Sequence, residues 1–257
     1  GSSGFGCEQV ALHIMENLPA KDLAMVGASR KLWWHMLTEG AVAARLAKRA
    51  AVDGQRRNNF LKRLWLAETA LLYEEFAPLW HGNWFLCSNE ISLRPLTLED
   101  GEVFSAGGRL WLQGTELRLL RRLPMPPQSV QFRLAVSAEG DCALGHLTLE
   151  DEKGRACVWA YVERRSDFVG IPLCCLHVNL LDHQLSALPT GPKDFLTLSF
   201  DLDWTLRRLV NIRVDGVLVA QEEDFHNTRC SVAKQLRLFN MRGYSCASAW
   251  RELLLRG

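Results

Sequence analysis

His177, Asp182 and His183 fall close together beside Asn179, and these residue types are the ones that ligate divalent metals. A metal centre needs ligands that converge and a second shell that orients them. This segment reads as a loop carrying ordinary polar side chains, so no metal is assigned to it. Two acidic runs raise a second chemistry. Glycoside hydrolysis uses a pair of carboxylates at about 5–9.5 Å across a cleft. On one strand that requires an alternating array such as E-x-D-x-E, so that the side chains share a face. Glu150-Asp151-Glu152 adjoins Lys153-Gly154 and reads as a hairpin turn, while Glu222-Glu223-Asp224 reads as a solvated loop. Neither supplies the array. The chain has no G-x-S-x-G elbow and no phosphate-binding G-x-x-x-x-G-K-S/T loop. The expectation is a protein with no catalytic residues and no cofactor, and thus not an enzyme.

The eight cysteines form no C-x-x-C pair, and there is no H-x-x-x-H partner, which excludes the usual zinc spacings. Adjacent Cys174 and Cys175 on a strand point to opposite faces. The cysteines therefore read as scattered, reduced thiols. Composition is that of a globular protein: 257 residues, 48% hydrophobic, 23% charged, net charge +1. A neutral chain disfavours nucleic acid as a partner. Arg45, Lys48, Arg49, Arg56, Arg57, Lys62 and Arg63 are locally basic and read as a solvated helix face. Gly1 to Gly6 has no apolar signal core, and no apolar run approaches the roughly 20 residues of a membrane helix. A cytoplasmic or nuclear protein without membrane contact is expected.

The elements that must position these residues change character near Pro78. Before it, apolar positions recur at helical spacing. Val10, Ile14, Met15 and Leu18 share a face, and Leu18-Pro19 ends that segment. Ser29 caps a helix from Arg30 to Leu37, Gly40 terminates it, and Ala41 to Ala51 forms another. Asn59 to Phe76 reads as one further helix. After Pro78, short alternating runs take over. Val130, Phe132, Leu134 and Val136 lie on one face, and Gln131, Arg133 and Ala135 on the other. Hairpins are predicted about Asp151 to Gly154 and about Asp215-Gly216. Further strands cover Val103-Phe104, Leu110 to Leu112, Glu116 to Arg121, Phe195 to Leu202, Leu236 to Phe239 and Trp250 to Leu255. Ala106-Gly107-Gly108 reads as a turn. Of nine tryptophans, Trp33, Trp34, Trp65, Trp80 and Trp84 are expected at a seam between helices and strands, and Trp111, Trp159, Trp204 and Trp250 on strands. The fold class is α+β: a small N-terminal helical subdomain, then an antiparallel β-sandwich. The division is 7–50 helical domain, 51–84 helical linker and 85–257 sandwich.

The stretch from Val10 to Leu37 resembles an F-box. It carries an apolar helix, then Leu18-Pro19-x-x-Asp22-Leu23, then Ala28-Ser29-Arg30-Lys31 and aromatics before Leu37. It departs from that family where the opening Leu-Pro would fall, at Gly6-Cys7, and where Leu32 takes the usual Trp position. The resemblance implies docking on a Skp-type adaptor of a cullin–RING ubiquitin ligase, through Leu12, Ile14, Met15, Leu18, Pro19 and Leu23.

Three segments of the second half resemble a concanavalin A-like, laminin-G-like jelly roll. They are Arg109 to Gly114, Leu198 to Trp204 followed by Val210 to Val217, and Leu236 to Asn240 with Trp250 to Leu253. Together the two resemblances imply a substrate-recognition adaptor whose sandwich loops hold a protein or glycan target. The alternative is a carbohydrate- or ligand-binding, lectin-like sandwich with the helices as a structural cap. An exposed apolar face on the first helices would favour the adaptor; its burial against the sandwich would favour the lectin-like protein.

Overall fold

The computed structural model describes residues 13–15, 17–23, 37, 40–50, 60–76, 83–88, 92–95, 103–105, 109–113, 117–137, 142–166, 169–170, 172–187, 189, 195–241 and 247–257. Helix α1 spans Gly40–Ala50 and helix α2 spans Phe60–Thr69. The strands are β1 (Leu72–Glu74), β2 (Phe85–Ser88), β3 (Ser92–Pro95), β4 (Val103–Ser105), β5 (Leu110–Gln113), β6 (Leu117–Arg122), β7 (Ser129–Ser137) and β8 (Cys142–Glu150). They continue with β9 (Ala156–Ser166), β10 (Pro172–Val178), β11 (Leu181–Gln184), β12 (Leu196–Asp203), β13 (Arg208–Val214), β14 (Val217–Asp224), β15 (Gln235–Phe239) and β16 (Ala247–Arg256).

The strands form two eight-stranded sheets. Sheet A runs β14-β13-β12-β7-β16-β5-β4, with β1 added beside the C-terminal half of β16. Sheet B runs β11-β10-β9-β8-β15-β6-β2-β3. The described ladders are antiparallel, and their inner faces meet in one core. The fold is thus an antiparallel, jelly-roll β-sandwich with a small helical part before it. The alternation read from the sequence gives the inner faces directly. Val130, Phe132, Leu134 and Val136 of β7 are buried, as are Leu196, Leu198, Phe200 and Leu202 of β12. The Phe132 and Trp250 rings meet at 5.5 Å, tilted by 45°. Full burial of each such side chain is worth about 1.5–3 kcal/mol.

Met15, Ala20, Leu23 and Leu37 pack with Val42, Leu46, Phe60 and Leu64 in a second core, separate from that of the sandwich. Apolar residues at i, i+1 and i+4 give both α1 and α2 a single buried stripe. Gly40 opens α1 instead of terminating a helix, a position glycine also tolerates. The helix expected over 59–76 stops at Thr69, because Leu72, Tyr73 and Glu74 pair with Leu255, Leu254 and Leu253 at the open edge of β16. Backbone bonds to that edge replace further helical bonds. Beyond β1, the Glu75 carboxylate accepts from Arg63 Nε at 2.5 Å and Nη2 at 2.9 Å, and from the Tyr73 hydroxyl at 2.5 Å. This buried pair joins α2 to the first strand. Arg63 is therefore interior and not part of a solvated basic face. Arg45, Lys48 and Lys62 are exposed.

Other expectations change in the same way. Glu222, Glu223 and Asp224 belong to β14, where the Arg208 guanidinium pairs with Glu222 and Asp224. The His177–Asp182 segment is the β10–β11 hairpin and not a loop. Trp84 lies in the sandwich core and Trp65 is exposed, so neither forms a seam; Trp204 sits in the turn after β12. Trp33, Trp34 and Trp80, the Ser29 cap and the turn at 106–108 lie outside the described residues. Cys87, Cys157, Cys174, Cys175 and Cys230 are buried free thiols. Among the described residues no helix is long and apolar enough to cross a membrane.

Candidate ligand-binding site

Strand β13 builds the site through a break in its own alternation. Leu209, Ile212 and Val214 all face the core, although a regular strand would place Leu209 opposite the other two. One extra residue resolves this. The β12–β13 register shifts between Ser199↔Arg213 and Asp201↔Val210, and Asn211 takes a left-handed conformation with φ 56°. Asparagine is among the few residues that enter that region readily. The bulge pushes Asn211 and Arg213 outward onto the solvent face of sheet A. Beside them, Ser199 and Asp201 face outward from β12, and Ser129 and Gln131 from β7. Arg256 of β16 stands across from Ser129.

These side chains enclose an open cleft of about 290 Å³. That is at the lower bound of small-molecule sites. Asn211 Nδ2 donates to Asp201 Oδ2 at 3.0 Å, which orients both groups. Arg213 Nη1 donates to the Gly216 carbonyl at 3.3 Å, which steadies the guanidinium. The hairpin tip is tied to β12 by paired bonds: Thr197 N–H donates to Asp215 Oδ1, and Asp215 N–H to the Thr197 carbonyl, each at 2.8 Å. The cleft thus offers hydroxyls, amides, a carboxylate and guanidinium groups on a rigid sheet. Such a mixture of donors and acceptors suits a ligand rich in hydroxyl groups. Farther along the same face, Phe195 packs on Ala135, Ala249 and Trp111. The guanidinium carbons of Arg109, Arg133 and Arg251 lie 5.4, 5.7 and 5.8 Å from its ring centre.

The residues first considered for metal chemistry occupy the solvent face of sheet B. One ladder row there carries Arg118, Phe239, His146, Tyr161, His177 and Asp182 on neighbouring strands. Tyr161 is sandwiched between His146 at 4.7 Å and His177 at 4.5 Å, so both ring faces are occupied. His177 Nε2 lies 2.9 Å from Glu163 Oε2, and Nδ1 lies 2.5 Å from Asp182 Oδ1. The imidazole fills the space between these carboxylates. His146 is fully enclosed and accepts a 2.8 Å bond at Nδ1 from Trp159 Nε1. Burial holds its ring down at about 4; the Ala143 backbone opposes this, and the nearby His177 charge adds to it. His183 pairs with Leu176 in the hairpin and stands apart from this cluster. Among the described residues no group of three metal-ligating side chains converges.

Asp151 turns inward at the β8–β9 hairpin. Its Oδ2 accepts from Arg155 Nε at 2.8 Å and its Oδ1 from the Lys153 and Arg155 N–H groups. Burial raises its carboxyl, but these bonds and that from Ser231 outweigh it and hold the group at about 2. The adaptor-facing set divides: Met15 and Leu23 are buried in the helical core, Ile14 and Pro19 are exposed, and Leu18 is half-buried. Leu12 lies outside the described residues.

The cleft residues were not singled out in the sequence as a site. Their trace there is the broken alternation at Val210-Asn211 and the outward polar positions Ser129, Gln131, Ser199 and Asp201. Those positions are distant in sequence, and only the sheet order joins them.

No family model matches the chain, and no curated protein matches it by sequence. The F-box resemblance of the helices therefore has no support from either comparison. Solved structures do resemble it in outline. A sialidase matches at TM-score 0.48 and 14% identity over 74% of this chain, which spans 19% of the sialidase. SCLam, a non-specific endo-β-1,3(4)-glucanase from family GH16, matches at 0.48 and 13% over 73% of this chain and 90% of its own. A prokaryotic β-1,3-1,4-glucanase from a mouse hindgut metagenome matches at 0.47 and 12%, over 72% and 98%. The expectation that the chain is not an enzyme is corrected here. The solved structures that it resembles include two glucanases and an alginate lyase, and the missing carboxylate array in the sequence does not exclude catalysis.

Proposed function

We propose that the protein is a carbohydrate-binding, lectin-like β-sandwich that holds its ligand in the cleft on the solvent face of sheet A. The carrying observation is the convergence of Gln131, Ser199, Asp201 and Asn211 on one cleft, at a bulge whose asparagine is left-handed. Bulges re-aim side chains beside ligand sites. The helices serve as a cap, fixed to the sandwich by Arg63 and Glu75. A glycan array followed by calorimetry tests the reading. Asp201→Ala is expected to abolish binding of any saccharide that the wild type retains. An array with no ligands, or hits that survive Asp201→Ala unchanged, would overturn it.

A second reading concerns the helices alone. Ile14 is 53% exposed, with Pro19 exposed and Leu18 half-buried nearby. These three could dock a Skp-type adaptor. Pull-down with that adaptor, lost on Ile14→Asp, is the expected result; absence of capture removes this reading.

A further inference from the structure

Arg213 and Arg256 stand on the two outer strands of the cleft, β13 and β16. Three strand spacings separate those strands, roughly 14 Å. Among the described residues neither guanidinium has a carboxylate within salt-bridge distance. Among the described residues the Arg213 guanidinium is engaged by the Gly216 carbonyl. Asp201 is the carboxylate lining the cleft, and one of its oxygens is held by Asn211. The lining therefore carries two positive charges against one negative. The excess continues along β7. Arg133 pairs with Thr197 in the row beyond Gln131↔Ser199, and its Nε is buried without a hydrogen-bond partner.

Neither guanidinium is neutralised by a described carboxylate, so each can pair with an anionic group of a ligand. Guanidinium groups also match carboxylates in bidentate geometry. From this juxtaposition we propose that the cleft selects an acidic oligosaccharide, with uronate carboxylates on Arg213 and Arg256 and sugar hydroxyls on Asp201, Gln131 and Ser199. The proposal deepens the carbohydrate reading and rests on it. A denser polyanion fits less well, because Asp201 would face its charges without a hydroxyl to bind.

Calorimetry on the full chain at low ionic strength tests this with four probes: a glucuronic acid tetramer, a neutral glucose tetramer, a glutamate oligomer and inorganic sulfate. The acidic tetramer is expected to bind at least tenfold more tightly than the neutral one. Arg213→Gln with Arg256→Gln should bring the affinity for the acidic tetramer down to that for the neutral one. Raised salt should weaken only the acidic tetramer, as screening predicts. Equal affinity for both tetramers would overturn the acidic selectivity and leave the carbohydrate reading standing. Glutamate oligomer binding as tight as the acidic tetramer would overturn it in favour of a peptide. Binding of sulfate with neither tetramer would overturn both readings.

Discussion

Gly145 faces Leu134 so closely that a β-carbon on it would lie 2.6 Å from both Leu134 methyl carbons. Gly145 lies in the β8 bulge, with φ +61°, and its N–H donates to the buried Asn240 side chain at 3.1 Å. The β8–β9 register shifts there, between Leu144↔Val162 and Leu147↔Ala160. This lets Leu144 and Leu147 both face the core while His146 turns outward. Gly145→Ala combines a strained left-handed alanine with overpacking. The two effects together should cost about 2–5 kcal/mol. Urea unfolding measures it, and a loss under about 1 kcal/mol would show that Leu134 yields freely.

The Arg63–Glu75 pair makes a second prediction. Glu75→Ala removes the carboxylate from a buried guanidinium and should cost about 3–5 kcal/mol. Replacing Arg63→Met, Glu75→Leu and Tyr73→Phe together removes both charges and the hydroxyl bonded to them. This triple variant should recover most of the loss. Chemical denaturation separates the cases, and a triple variant as weak as Glu75→Ala would mean that the charges do more than satisfy each other.

Two buried groups give opposing pH dependence. His146 is held at about 4 against an ordinary 6.5, chiefly by burial. Between those values the unfolded chain binds a proton that the native protein does not. Stability from this group therefore rises with pH across that window, by about 3 kcal/mol in all. Glu74 is raised from 4.5 to about 7, again chiefly by burial, against the bonds from Trp84 and the Phe76 N–H and the charge of Arg121. The native protein binds its proton more tightly, so this contribution falls as pH rises from about 4.5 to 7. The two slopes nearly cancel between pH 4.5 and 6.5. Glu74→Gln should expose the histidine slope, giving stability that climbs by about 3 kcal/mol from pH 4 to 6.5. A flat profile in that variant would count against the assignment.

Asn211 allows backbone strain and ligand contact to be separated. Asn211→Gly keeps the left-handed backbone and removes the amide that orients Asp201. Asn211→Ala removes the same amide and adds strain of about 1–2 kcal/mol. Both variants should weaken saccharide binding equally, while only the alanine lowers the melting temperature. Retention of wild-type affinity by the glycine variant would remove Asn211 from the site.

The features legible in the linear chain were local. Period-two burial from Val130 to Val136 named the inner face of β7, and Asp151 to Gly154 and Asp215-Gly216 marked hairpins that form as read. The shift from helical to alternating period separated two kinds of core. These features depend on neighbours a few residues away, so a linear pattern records them. Long-range strand pairing settled the rest. The edge of β16 converted Leu72 to Glu74 from helix to strand, and the partner strand β13 drew Glu222 to Asp224 out of a loop. The β10–β11 hairpin likewise fixed His177 between Glu163 and Asp182. Two bulges reversed side-chain parity, one at Gly145 and one at Asn211, and no uniform alternation anticipates an added residue. The cleft joins Ser129, Ser199, Asn211 and Arg256 from four strands. Period two states which face each residue takes; it does not state which strands lie side by side. That order comes from burying both inner faces at once, a condition met only by the whole chain.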